Sequence, residues 1–125
     1  MKLKNKQILT AIEIKNELEN VEMPVSASYK IAKNMSKLEK EVLIIAKEEK
    51  KLLNRYATKD DQGKPIMISD GQFKCDDVKE FTEKMEELLS LETDVDIMII
   101  PIEQMNCNIK PNILSRIMFM IGDDD

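Results

Sequence analysis

The 125-residue sequence has no histidine and no tryptophan, and it contains only two cysteines and three glycines. Without histidine the chain cannot build a Ser-His-Asp or Cys-His catalytic arrangement, a histidine zinc site or an axial histidine ligand for haem. Three glycines leave little material for a phosphate-binding loop, and the sequence has no GxGxxG, P-loop or G-x-S-x-G motif. We therefore expect a protein that is not an enzyme and that uses no cofactor and no metal ion.

Long apolar runs are also absent. The longest cover residues 97–102 and 117–121, whereas a membrane-spanning helix needs about 18. The basic first residues precede an interrupted amphipathic segment, which is unlike the apolar core of a signal peptide. Cys75 and Cys107 have no CxxC spacing, which favours two separate thiols. These features predict a cytoplasmic protein that does not bind membranes.

Charge is distributed unevenly along the chain. Residues 1–59 contain 13 basic and 8 acidic side chains, a net charge of +5, and residues 60–125 contain 6 and 16, a net charge of −10. Nucleic-acid-binding domains usually carry a net basic face because neutralising phosphates supplies most of their affinity. We expect no direct nucleic-acid binding. A basic first half and an acidic second half instead favour charge neutralisation within the chain, head-to-tail contact with another copy, or binding of a basic partner by the acidic half.

A heptad pattern dominates the first half of the sequence and predicts a helix from Ser28 to Ala57. Its apolar seam consists of Ile31, Met35, Leu38, Val42, Ile45, Glu49, Leu52 and Tyr56. A seam of this kind requires a partner helix, from within the chain or from another subunit. Glu49 interrupts the seam, either because nothing covers it there or because it pairs with a lysine and fixes the register.

Shorter elements surround the long helix. Apolar spacing predicts a helix over residues 7–19, and Asp70-Gly71 between two extended runs predicts a β-hairpin. Asp76 or Asp77 is expected to cap a third helix, about half as long as the second, which covers half of the seam.

The C-terminal third is predicted to contain one strand and one helix. The strand covers residues 92–102 and the helix residues 113–121, with Pro111 at the first helical position and Gly122 just past the end. The predicted fold is therefore α+β and mostly helical. A long heptad-patterned helix pairs with a shorter helix through a β-hairpin, with one further strand and short terminal helices. We expect a single domain over residues 1–122 and an acidic tail at 123–125.

Three carboxylates alternate along the predicted strand, at Glu92, Asp94 and Asp96. On one face of a strand they could hold a hard cation if a loop supplied further oxygens. The more common role of like charges at an edge is to discourage pairing with other chains. The sequence leaves both interpretations open.

Several stretches resemble a known protein family. They are residues 23–34 (MPVSASYKIAKN), 38–41 (LEKE), 55–56 (RY) and 59–63 (KDDQG). Over roughly residues 3–121 the chain is similar to a family of small uncharacterised proteins of tailed phages and prophages of low-GC Gram-positive bacteria. The resemblance implies an origin, and it carries no activity and no site residues.

The combined interpretation is a non-catalytic, phage- or prophage-encoded protein-binding protein. It would be an accessory or assembly factor that self-associates through the helical seam. The alternative is a stoichiometric inhibitor of a host defence or nucleic-acid-processing complex that uses its acidic C-terminal half. The expected partner is a second copy, a virion component or a host complex, in the bacterial cytoplasm or on the virion. The candidate partner-binding residues are Ile31, Met35, Leu38, Val42, Ile45 and Glu49 on the seam, and Glu80, Glu83, Glu87, Asp94 and Asp96 in the acidic half.

Overall fold

The computed structural model describes residues 1–69, 72–105 and 107–122, and it confirms the predicted class, an α+β fold that is mostly helical. The predicted hairpin turn at Asp70-Gly71 and the predicted acidic tail at 123–125 lie outside the described residues. The elements are β1 (Lys2–Lys4), α1 (Asn5–Glu13), α2 (Lys15–Glu19), α3 (Val25–Tyr56), β2 (Met67–Ser69), β3 (Gln72–Phe73), α4 (Val78–Ser90), β4 (Glu92–Asp94), β5 (Ile100–Pro101), α5 (Pro111–Ile117) and β6 (Ile121–Gly122). No helix in the described part of the chain is long and apolar enough to cross a membrane.

The chain forms two compact units. Unit 1 combines Met1–Val42 with Glu92–Asp125, and unit 2 is Leu43–Leu91. Helix α3 begins in unit 1 and ends in unit 2. The expectation of one domain over residues 1–122 stays a prediction.

Helix α3 is the long helix that the heptad pattern predicted. It begins three residues earlier than expected, directly after Pro24, and it ends one residue earlier, at Tyr56. The seam side chains Ile31, Met35, Leu38 and Ile45 are all buried within the chain, and Leu38 is completely inaccessible. Burial of large aliphatic side chains of this kind is the main favourable term in folding, about 1.5 to 3 kcal/mol for each. The seam therefore forms part of the chain's own core.

A two-stranded antiparallel sheet in unit 1 joins the start of the chain to β4. Lys2 lies opposite Asp94 and Lys4 lies opposite Glu92, so that opposite charges face each other across the ladder. The Met1 ammonium donates hydrogen bonds to the Asp94 carboxylate at 2.9 Å and to the Val95 carbonyl at 3.0 Å. Strand β1 was not predicted, because two of its three residues are lysines and only the middle side chain is buried.

Asn34 connects α3 to the segment between β4 and β5. Its amide nitrogen donates to the Met98 carbonyl at 2.9 Å, and its amide oxygen accepts from the Met98 backbone nitrogen at 2.8 Å. The Asn34 side chain is fully buried, and the same amide nitrogen lies 3.6 Å from the Met120 sulfur. Both backbone groups of Met98 are thus satisfied by one side chain, as a neighbouring strand would satisfy them.

The predicted strand over residues 92–102 is wrong in its extent. Only its two ends, β4 and β5, are strands, and residues 95–99 between them have no regular structure. The physical reason is that the Asn34 amide replaces the sheet partner at Met98. The two ends pair with different strands, β4 with β1 and β5 with β6.

Two predicted helices also differ from the structure. The helix expected over residues 7–19 is divided into α1 and α2 at Ile14, whose backbone leaves helical geometry with φ −103° and ψ 13°. The last helix starts with Pro111 at its first position, as predicted. Its α-helical part ends at Ile117, and a 3₁₀ turn continues it over Met118–Met120. Gly122 was expected just beyond that helix and instead lies in β6, parallel to Pro101 of β5. Pairing of β6 with the distant β5 draws the chain end out of the helix.

Unit 2 contains the end of α3, the β2–β3 hairpin and α4. Thr58, Ile66 and Lys74 form a closed ring of backbone hydrogen bonds, in which each residue donates to one of the other two and accepts from the third. The predicted hairpin is confirmed, with Met67 opposite Phe73. Asp77 caps α4, as predicted, by accepting a hydrogen bond from the Glu80 backbone nitrogen at 3.0 Å.

We predict that Asn34→Ala lowers the free energy of unfolding by about 2 to 4 kcal/mol, because it leaves the donor and the acceptor of the Met98 backbone without partners. The measurement is urea denaturation followed by circular dichroism. Asn54→Ala is the matched control, since Asn54 is an exposed asparagine on the same helix, and its effect should stay within about 0.5 kcal/mol. Equal effects of the two substitutions would contradict the role given to Asn34.

The Met1 ammonium should make stability depend on acid pH through Asp94. Its hydrogen bond and its charge lower the pKa of that carboxyl below the ordinary value. A lowered pKa in the folded state contributes stability that is present above the unfolded-state pKa of about 3.9 and is lost as the pH falls through the folded-state pKa. Asp94→Asn should therefore unfold at lower urea than the wild type near neutral pH, and this difference should shrink in acid.

Asp61→Asn is the control for this pH series, because Asp61 is an exposed turn residue with no ion pair among the described residues. Urea midpoints would be measured from neutral pH down to strong acid. A gap between Asp94→Asn and wild type that stays constant over that range would contradict the assignment.

Candidate functional site

A groove in unit 1 runs between α2 and the first half of α3. Its volume is about 320 Å³, within the range of roughly 300 to 1,000 Å³ that is typical of ligand pockets. The floor is apolar and buried. The lining residues are Lys15, Leu18, Glu19, Met23, Ser28, Ile31, Ala32, Met35, Ser36 and Glu39. We call this feature the α2–α3 groove.

A row of small side chains on α3 leaves the groove open. Ser28, Ala32 and Ser36 follow one another at four-residue intervals, and all three are exposed. Residues four apart lie above one another on a helix face. The row therefore forms a low wall beside the buried seam residues Ile31 and Met35, whose edges line the groove.

Charged side chains stand at one end of the groove. Lys15 forms ion pairs with Glu39 on α3 and with Glu19, one turn away on α2, the latter at 3.8 Å. The hydrogen bond with Glu39 raises the pKa of the Lys15 amine above its ordinary value. Two carboxylates share one ammonium here, so that this end of the groove carries a net negative charge.

An exposed apolar patch adjoins the groove on the first two turns of α3. Val25 is 86% exposed and Tyr29 is 57% exposed. They are helix-surface neighbours of the groove residues Ser28 and Ala32, which lie three positions further along. The Lys33 ammonium lies 5.2 Å from the centre of the Tyr29 ring, a cation–π distance. We call Val25 and Tyr29 the Val25–Tyr29 patch.

The predicted partner-binding residues of the seam differ in how deeply they are buried. Ile31, Met35, Leu38 and Ile45 are buried, and Val42 and Glu49 are half-buried. In this conformation Leu38 and Ile45 offer no surface to a partner in the α2–α3 groove, and Ile31 and Met35 offer only the edges that line it. Glu49 has no ion pair among the described residues, which does not support the idea that a lysine pairs with it to fix the register. Whether these positions bind a partner stays a prediction.

The acidic candidates lie in two places. In unit 2, Glu80 accepts a hydrogen bond from the Tyr56 hydroxyl at 2.9 Å, and Glu83 and Glu87 are exposed on α4. Burial raises the pKa of the Tyr56 hydroxyl above its ordinary value, and the bond to Glu80 raises it further. In unit 1, Asp94 binds the chain's ammonium terminus, and the Lys37 ammonium donates to the Asp96 carbonyl at 2.7 Å. Their partner-binding roles also stay predictions.

The alternating carboxylates of β4 are matched by lysines. Glu92 and Asp94 lie opposite Lys4 and Lys2, and Asp96 lies beyond the end of the strand, 3.8 Å from the Lys37 ammonium. Among residues 1–69, 72–105 and 107–122, no three His, Cys, Asp or Glu side chains are grouped closely enough to hold a metal ion.

A second cavity, of about 280 Å³, lies in unit 2 between the end of α3, β3 and α4. Its lining includes Leu53, Ile68 and Phe81 and the half-buried free thiol of Cys75. Its walls carry one charged side chain, Lys74, so that it offers few polar groups to orient a ligand.

No protein-family model, no curated protein and no solved structure matches this chain. The resemblance to phage and prophage proteins therefore stays a prediction.

The heptad pattern alone does not predict the α2–α3 groove, because that pattern is defined by large apolar residues. A signal for it was present in the row Ser28, Ala32 and Ser36, in which small side chains recur every four residues beside the seam. Met23 before Pro24 marks the turn that brings α2 against α3.

Proposed function

We propose that this chain is a non-catalytic protein-binding protein that receives an amphipathic helix of its partner in the α2–α3 groove. The observation that supports this proposal is the continuity of an apolar groove with the exposed Val25–Tyr29 patch. Contiguous exposed apolar surface is typical of protein interaction sites, and tyrosine is enriched among the residues that dominate binding energy. A helix laid into an apolar groove is a recurrent mode of peptide recognition.

The groove also favours a particular partner chemistry. Its apolar length along α3, from Ser28 to Ser36, is about two helical turns, or about 12 Å at 1.5 Å per residue. That length accommodates two apolar anchors spaced three or four residues apart on a partner helix. Glu19 and Glu39 at one end favour a lysine or arginine next to those anchors.

An accessory or assembly factor is the biological role that this binding mode suits best. The support for this role is the resemblance to small phage and prophage proteins. Self-association through the heptad seam would require Ile31, Met35 and Leu38 to leave the core. We therefore place partner contact on the exposed surface beside the seam.

The inhibitor of a host complex is the second candidate. It is favoured by the exposed face of α4, where Glu83, Glu86 and Glu87 are all accessible. This face would fit a basic groove that normally receives nucleic acid. Replacing the three glutamates with glutamine would abolish binding in that case and would leave helix recognition in the α2–α3 groove intact.

The proposal predicts a cross-linked partner at Tyr29. A photoreactive phenylalanine analogue placed at this position, in the cells that express the gene, should capture a defined protein. Ala32→Trp should remove that cross-link, because the bulky side chain fills the mouth of the groove. With the captured protein's helix as a synthetic peptide, Ala32→Trp should weaken the dissociation constant at least about tenfold, or about 1.4 kcal/mol.

Ala46→Trp is the matched control, since Ala46 is another exposed alanine of α3 and lies outside the groove. It should change peptide affinity less than about twofold, within the ±0.5 kcal/mol expected of a surface site. Both variants should unfold at the wild-type urea midpoint. Unchanged affinity of Ala32→Trp, or equal losses in the two variants, would refute binding in the groove.

A further inference from the structure

Two exposed stripes in unit 2 have complementary chemistry and the same spacing. The lysine stripe consists of Leu43, Lys47 and Lys51 on α3. The glutamate stripe consists of Glu83, Glu87 and Leu91, on α4 and at its C-terminal cap. Each stripe advances by four residues, about 6 Å per step, and residues at this spacing share one helix face.

The two stripes match when the helices run antiparallel. Leu43 then lies opposite Leu91, and Lys47 and Lys51 lie opposite Glu87 and Glu83. The two leucines are 70% and 54% exposed, so that a contact between them would remove apolar surface from water. An apolar contact at one end and two ion pairs along the rest would be formed in a single register.

The existing contacts of these charges are weak. Lys51 pairs with Glu48 at 2.9 Å and Glu87 pairs with Lys84 at 3.6 Å, each within one turn of the same exposed helix. Exposed pairs of this kind contribute little to stability and can exchange for contacts across an interface. Lys47 and Glu83 form no ion pair among the described residues.

We propose that the lysine stripe of one copy binds the glutamate stripe of a second copy. Every molecule carries both stripes, so each copy supplies the complement that the other needs. Two reciprocal contacts would close a symmetric dimer, and a single contact would leave one stripe of each kind free for further copies. This inference extends the proposed function and does not depend on it, because the α2–α3 groove contributes none of these residues.

The test is sedimentation equilibrium of the full chain from micromolar to near-millimolar concentration. In about 0.01 M salt, where charges interact over roughly 30 Å, the average mass should rise with concentration. In about 1 M salt, where the range is roughly 3 Å, it should fall toward the monomer. A monomer at every concentration in low salt would overturn the proposal.

Charge reversal identifies the surface. The variant K47E/K51E should be monomeric alone, and E83K/E87K should be monomeric alone. Their equimolar mixture should regain association, because each variant then carries the charge that the other lacks. Failure of the mixture to associate while both variants remain folded by circular dichroism would overturn the assignment.

The matched control for the lysine variant is K6E/K40E, which makes the same change in net charge at two exposed lysines outside the stripe. It should associate like the wild type. Leu43→Asn should weaken association, and Val78→Asn, at another exposed apolar site, should not. Equal loss in stripe and control variants would show an effect of net charge only and would refute the stripe.

The two proposals can be separated in the same samples. Ala32→Trp should self-associate like the wild type, and K47E/K51E should retain the cross-link from Tyr29. If K47E/K51E loses association and keeps the cross-link, the stripes mediate self-association and take no part in partner binding. If Ala32→Trp loses the cross-link and keeps association, the groove mediates partner binding and takes no part in self-association.

Discussion

The bidentate contact between the Asn34 amide and the Met98 backbone is the interaction on which unit 1 depends. A polar side chain in the middle of a heptad helix normally faces water, because burying an amide without partners costs several kcal/mol. Asn34 is fully buried, and its oxygen and nitrogen both bind the backbone of one residue, Met98. The same contact satisfies two backbone groups in a stretch that has no strand partner. It attaches the crossing segment 95–99 to α3 at one defined position.

That attachment determines which sides of α3 are covered. The seam beside Asn34 is buried by the chain itself, with Leu38, Ile100 and Ile117 fully inaccessible. The row of small side chains at Ser28, Ala32 and Ser36 stays open, and α2 forms the opposite wall of a groove there. The heptad pattern thus serves the internal core, and the weaker pattern of small residues beside it produces the surface that we propose for partner binding.

Local signals in the sequence were sufficient for much of this fold. The alternation of three and four in the seam located α3 to within three residues. Asp77 was one of the two cap candidates for α4, with Asp76, because a carboxylate there can accept from a free amide such as that of Glu80, three residues on. The antiparallel hairpin was visible for the same reason, since its turn and its strands are adjacent in the sequence. These elements depend on neighbours within a few positions.

The elements that escaped prediction depend on distant partners. Strand β1 has one buried side chain in three residues and exists because β4 lies beside it, some 90 residues later. The apolar spacing of residues 113–121 predicts a helix that extends into β6, because the pairing of β6 with β5 is not encoded in its own periodicity. The division of the strand over 92–102 follows from Asn34, whose position in the sequence gives no hint of Met98. The α2–α3 groove has no counterpart in the apolar periodicity, because its wall on α3 consists of small residues.

Amide hydrogen exchange at Met98 is the measurement that tests the central claim most directly. The account predicts that this amide, although it lies outside every helix and strand, exchanges as slowly as the buried amides of α3 near Leu38, because it opens only when unit 1 unfolds. In Asn34→Ala the protection of Met98 should disappear while that of the hairpin amide at Lys74 is retained. Rapid exchange of Met98 in the wild-type protein would contradict the account.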